Sequence, residues 1–132
     1  MSPDKVEIVR REAQAFNRRD LTQALALWSP DGEIDWSHSL GPLKGIYRGH
    51  AGLETFWDEF WSTFEVVEVE IHGLTDVGGD VVAPNTARLR GREGIEVVAR
   101  STFVYTVESG QITRLRMFQE RVEALQAAGL RE

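Results

Sequence analysis

Glu12 is the side chain in this chain with the strongest case for chemistry. At about 100° per residue it falls inside the apolar arc of the first predicted helix, between Val9 and Phe16. A carboxyl desolvated there has a raised pKa, because burial disfavours the charged form. It can then hold a proton near neutral pH, donate a hydrogen bond or act as a general acid. The alternative is a side chain that reaches past the helix rim to an arginine. His38 is the second candidate. It shares the inward parity of Ile34 and Trp36 on the first predicted strand and opens a long loop, the place for a base at a pocket mouth. It is equally placed to be an ordinary surface residue. Asp35 falls on the opposite strand face and forms no dyad with His38. His50 begins the third helix and His72 lies on a charged face. The three histidines lack metal-ligand spacing, so no metal is expected.

Trp28, Trp36, Trp57 and Trp61 would wall a pocket for a small apolar molecule, or fill the core with their own rings. On the strands, one parity is apolar apart from Ser101, Tyr105 and Gln119. Buried polar groups need partners, so these three satisfy the backbone or line a cavity. Phe103 and Met117 share their face and complete the predicted binding set.

These residues are positioned by helices first and strands afterwards. Ser2 and Pro3 suit the start of helix one, striped by Val6, Val9, Ala13 and Phe16. Asp20, with Gln23 three residues on, opens helix two in a capping-box arrangement. Leu21, Ala24, Leu25 and Trp28 form its buried face, and Ser29-Pro30-Asp31-Gly32 ends it. A short strand over Glu33–Ser37 leads into a Gly- and Pro-containing loop, Ser39–Gly49, long enough to be functional. Helix three runs from about His50 to Thr63. Strands follow over Glu65–Thr75, Val81–Arg90, Glu96–Glu108 and Gln111–Gln119, with turns at 77–80, 91–94 and 109–110. A short helix over Glu120–Ala128, stopped by Gly129, closes the chain.

The outer strand face gathers Glu68, Glu70, His72, Arg88, Arg90, Arg100, Arg114 and Arg116. It reads as a solvated face of cross-strand ion pairs or as a homodimer interface, since Val98, Val104 and Phe118 share its parity. The glutamates argue against an anion site there. With 132 residues the expectation is one domain, 1–132. The absence of cysteine excludes disulfides and thiolate chemistry. A formal net charge of −6 argues against phosphate-mediated nucleic-acid binding. No signal-like run opens the chain and no segment reaches the roughly 20 apolar residues of a membrane span. A cytoplasmic protein that does not bind membranes is expected. No phosphate-cradling loop or nucleophile elbow is present.

The runs Phe16–Leu21, Leu27–Trp36 and Gly45–Leu53, with Phe56 and Trp57, resemble SnoaL-like proteins of the nuclear-transport-factor-2-like (NTF2-like) superfamily. Phe103–Val107, Gly110–Ile112 and Arg114–Phe118 resemble that group's final hairpin. The resemblance implies an α+β cone: three N-terminal helices on a strongly curved, mixed, mostly antiparallel sheet enclosing a pocket, commonly dimeric through the sheet. It implies relatives among ketosteroid isomerases, polyketide cyclases, epoxide hydrolases and dehydratases. Against the isomerase pattern, the catalytic aspartate's place falls on Trp36 and the oxyanion tyrosine's place on Glu12. The supporting tyrosines become Trp28 and Trp57. The polyketide cyclases' aspartate has no counterpart among Ser101, Tyr105 and Gln119. The expected function is therefore cofactor-free isomerase, cyclase or hydrolase chemistry on a small apolar carbonyl compound. Glu12 would be the acid or oxyanion partner, His38 the base, and Tyr105 and Gln119 would orient substrate. The competing expectation is a binding or dimerisation domain without catalysis.

Overall fold

The computed structural model describes residues 4–39, 43–91 and 93–128. Ser2 and Pro3, expected to open the first helix, lie outside the described residues. So do Leu40, Gly41 and Pro42 of the long loop, Arg92 of the second turn, and the expected stop at Gly129.

Helix α1 spans Lys5–Asn17 and is capped by Asp4, whose side chain accepts a hydrogen bond from the Val6 amide at 2.9 Å. The carboxylate satisfies one of the free amides of the first turn. Helix α2, Leu21–Leu27, is capped as expected: Asp20 accepts from the Gln23 amide at 3.1 Å. It ends one residue earlier than its apolar stripe predicts. Trp28 is already extended, with φ −99° and ψ 140°, and opens strand β1, Trp28–Asp35. Pro30 accounts for the difference. It can neither donate to a preceding helical turn nor let Ser29 take helical angles comfortably. Strand β1 is irregular as a result, with a register shift between Trp28 and Glu33.

Part of the expected loop pairs with β1: strand β2 spans Ile46–Arg48. Helix α3 follows over Gly49–Thr63. The single strand expected to Thr75 is two, β3 Phe64–Ile71 and β4 Thr75–Val77, both antiparallel to β5, Asp80–Gly91. Strands β6, Glu96–Glu108, and β7, Gln111–Phe118, join through Ser109 and Gly110, both at positive φ (52° and 80°). That is the signature of a tight primed hairpin turn. Helix α4 spans Arg121–Ala127.

The sheet order is β2-β1-β7-β6-β5-β3, with β4 beside β5. Only the β1–β7 pair is parallel among these neighbours. Helices α1 to α3 cover the inner face of this mixed, curved sheet, giving the expected α+β cone. Ile8, Val9, Trp28, Phe56, Val81 and Tyr105 are among the buried residues at that contact. A second, smaller core lies on the outer face. There α4 lays Ala124 over Val82, Val104 and Phe118. Val104 and Phe118, expected among the charges of an open outer face, are thus buried within the chain. Val98 on the same parity is 59 % exposed.

Candidate functional site

Between the helices and the inner sheet face lies a cavity of about 300 Å³. Its floor is built by three elements. Helix α1 supplies Glu12, and its rotation is fixed from its own end. Asn17 donates to the Val69 carbonyl at 2.8 Å and accepts from the Val69 amide at 3.0 Å, acting as one more rung on edge strand β3. The α2–β1 junction supplies Trp28. A Cβ on Gly32 would lie 2.6 Å from Trp28 Cε3, so glycine is what lets the indole lie against the β1 backbone. Strand β6 supplies Tyr105.

The three side chains meet. Trp28 Nε1 donates to Glu12 Oε2 at 3.3 Å and Tyr105 Oη donates to Glu12 Oε1 at 3.2 Å. Glu12 is 7 % exposed, and Trp28 and Tyr105 2 % each. Glu12 reaches no arginine among the described residues. Burial pushes its carboxyl up to about 6, and the bonds from Trp28 and Tyr105 hold it from going higher. Burial, and then the neighbouring Glu12, drive the Tyr105 phenol well above its ordinary value. Among the described residues these are the only two ionisable side chains that line the cavity.

The other expected residues divide. Trp36, Trp57, Ser101, Phe103, Met117 and Gln119 line the cavity. Trp36 sits edge-on to Phe56 at 4.9 Å and tilted to Phe103 at 5.6 Å, making a continuous aromatic wall. Trp61 does not line it. It is buried behind the wall against Phe16, with the Arg19 guanidinium 4.8 Å above its ring. The helical stripe of α3 is wide enough to carry an aromatic on each side, and spacing alone does not tell them apart.

His38 is not brought to the cavity. Strand β1 ends at Asp35, so the alternation that aimed His38 inward stops before reaching it. Its exposed ring rests on Phe118, on the α4 side of the sheet, at 5.0 Å. Asp35 is buried on the outer side. Burial raises its pKa, but the Ser37 hydroxyl and amide, then His38 and Arg114, outweigh that and lower it. Among the described residues no three His, Cys, Asp or Glu side chains cluster as metal ligands.

The polar lining residues Ser39, Thr63 and Asn85 were missed from sequence. Asn85, 2 % exposed, lines the cavity from β5. It donates to the Ala83 carbonyl at 3.1 Å and accepts from the Ser101 hydroxyl, its register partner on β6, at 3.1 Å. The signal was available, since Asn85 has the same parity as Ala87 and Leu89 on that strand.

Strand β6 measures the depth of the site. Val97, 44 % exposed, stands at the mouth; Ser101 lies midway; Phe103 is buried; Tyr105 is at the floor. All share one face because they are two or four residues apart.

The profile of the SnoaL-like domain family matches residues 9–115. No curated protein matches. Solved structures match in fold. An NTF2-like protein of unknown function from Burkholderia pseudomallei K96243 is 22% identical, with 91% of this chain and 93% of that chain covered and a TM-score of 0.77. TerC, co-crystallised with polyporic acid, is 20% identical over 94% of this chain and 97% of its own, with a TM-score of 0.78. A Mycobacterium tuberculosis protein in complex with estradiol-17beta-hemisuccinate is 17% identical over 89% and 94% of the two chains, with a TM-score of 0.75.

Proposed function

This chain belongs to the SnoaL-like domain family, and from that premise we propose that it is a cofactor-independent enzyme acting on a small, apolar carbonyl compound, with Glu12 as its proton-transfer group. The observation that carries this reading is the carboxyl at the cavity floor, with one donor on each oxygen and a pKa of about 6. A base is most effective when its pKa lies near the working pH. At neutral pH Glu12 is mostly ionised, so it is read as the base rather than as the acid expected from sequence. That leaves no part for the exposed His38.

The chemistry follows from the geometry. The carboxylate takes a proton from the carbon beside the substrate carbonyl, leaving an enolate. Once protonated, Glu12 accepts the Tyr105 hydroxyl hydrogen less strongly, and the rotatable Tyr105 O–H can turn toward the enolate oxygen while Trp28 Nε1 stays on Glu12. Return of the proton to another carbon completes an isomerisation; attack of the enolate carbon on a second carbonyl opens its C=O π bond to an alkoxide, and return of the Glu12 proton to that oxygen completes a cyclisation. The crystallisation of fold relatives with polyporic acid and with an estradiol ester supports reading the cavity as a small-molecule site.

The test is proton exchange. Apolar cyclic ketones incubated with the protein in deuterated water should lose their α-proton signals by NMR. Glu12→Gln should slow this by at least about 100-fold, the usual share of a positioned base. Equal rates in the two proteins would remove the reading and favour the alternative, a binding domain without catalysis. The exposed Val66 and Val98 on the outer face support homodimerisation through the sheet as a secondary part of the reading. Sedimentation of a Val98→Glu variant as a monomer, against a wild-type dimer, would test it.

A further inference from the structure

The acid-base floor uses one end of the cavity and leaves a second polar station unexplained. Asn85 and Ser101 face each other across β5 and β6, among apolar wall residues and the Gln119 side chain. The Asn85 amide orientation is fixed, because its contact on Ala83 is the carbonyl oxygen, which must meet the amide nitrogen. The Ser101 hydroxyl gives its hydrogen to Asn85 Oδ1. Among the described residues this leaves a second amide hydrogen on Asn85 and the lone pairs of Ser101 Oγ with no further protein partner. Asn85 is buried and Ser101 half-buried at the cavity wall, so their remaining hydrogen-bonding capacity is open to a ligand.

We propose that this pair is a recognition site for a hydroxyl group, and that the ligand of this cavity carries its carbonyl and a hydroxyl at opposite ends. The inference rests on the proposed function only for the carbonyl end. A hydroxyl accepts from Asn85 and donates to Ser101 through a single oxygen, which a ketone or ether oxygen cannot do. A carboxylate or phosphate is disfavoured, because no Lys, Arg or His lines the cavity among the described residues. The spacing comes from the strand. Ser101 and Tyr105 are four residues apart on one face, roughly 13 Å of extended chain, so the two ligand oxygens are separated by on the order of 10 Å. The wall between them, Trp36 and Phe103, suits a rigid apolar ring body.

The test uses a matched pair: a cyclohexanone carrying a para-hydroxyphenyl group opposite its carbonyl, and the same compound with a plain phenyl group. Titration calorimetry on the wild-type protein should give about tenfold tighter binding for the hydroxylated compound, the scale of one well-made hydrogen bond. In Ser101→Ala and in Asn85→Leu the ratio of the two affinities should fall to near one. Should Asn85→Leu fail to fold, Ser101→Ala carries the test alone. A wild-type ratio near one, or a tenfold ratio that survives in a folded variant, overturns the proposal. The readout is binding alone. Equal proton-exchange rates in wild type and Glu12→Gln with the hydroxyl preference intact therefore count against Glu12 as a base and in favour of the Asn85–Ser101 station.

Discussion

Glu12 is held at a balance between two opposing effects. Desolvation favours its neutral form, while two hydrogen bonds favour the ionised one. The balance has a stability consequence. The folded pKa, about 6, lies above the ordinary 4.5, so the folded state binds more protons between those values. The contribution to stability is present below pH 4.5 and is lost as pH rises through about 6. At neutral pH the ionised carboxylate therefore costs about 2 kcal/mol. Glu12→Gln should be more stable than wild type by up to about that amount at pH 7, with the advantage gone by about pH 4, as read by urea denaturation at both pH values. A Gln variant that is less stable at neutral pH would show that the carboxylate is stabilised by its surroundings. Tyr105→Phe removes one of the bonds that lower the pKa. The inflection of the exchange rate, expected near 6 and rising with pH in wild type, should move upward in the variant.

Two element junctions set that geometry. Asn17 ties α1 to β3 with a pair of hydrogen bonds. Asn17→Ala should cost about 2 kcal/mol by thermal or chemical denaturation, at about 1 kcal/mol per bond. Gly32 gives way to the Trp28 ring. A methyl group there meets a rigid indole rather than a flexible chain end, so Gly32→Ala should cost about 1–3 kcal/mol by overpacking. It should also disturb Trp28 fluorescence. A denaturation midpoint equal to wild type would show that the β1 backbone yields instead. Both junctions lie within stretches that carried the family resemblance, Phe16–Leu21 and Leu27–Trp36. Their roles were not visible there, because each is defined by a partner distant in sequence or by a backbone path.

The whole molecule keeps a hole in its core. Apolar walls around a void forgo dispersion contacts that a filled core would have. The alternative expectation, that the tryptophans fill the core with their own rings, is not what the packing gives. Trp36 packs edge-on to Phe56 and tilted to Phe103 along the wall, and a cavity of about 300 Å³ remains. Ala99, on the same face of β6 and lining the cavity, is the position to test this. Ala99→Phe should leave the melting temperature within a few degrees of wild type or above it, while ligand affinity falls by about tenfold or more. Retained affinity would place the ligand elsewhere.

The sequence by itself determined the order of elements, the period-two inner face and the odd placement of Glu12, because each is a local periodicity that a single segment carries. It misjudged the α2–β1 junction, where a proline outweighed an apolar stripe, and His38, where a strand stopped short. Only the tertiary structure decided that Trp28 and Tyr105 both point their donors at Glu12, that Trp61 stands behind the wall, and that Asn85 meets Ser101. Those facts depend on register and crossing geometry between segments up to 93 residues apart. Periodicity fixes which way a side chain faces, but not what it will face.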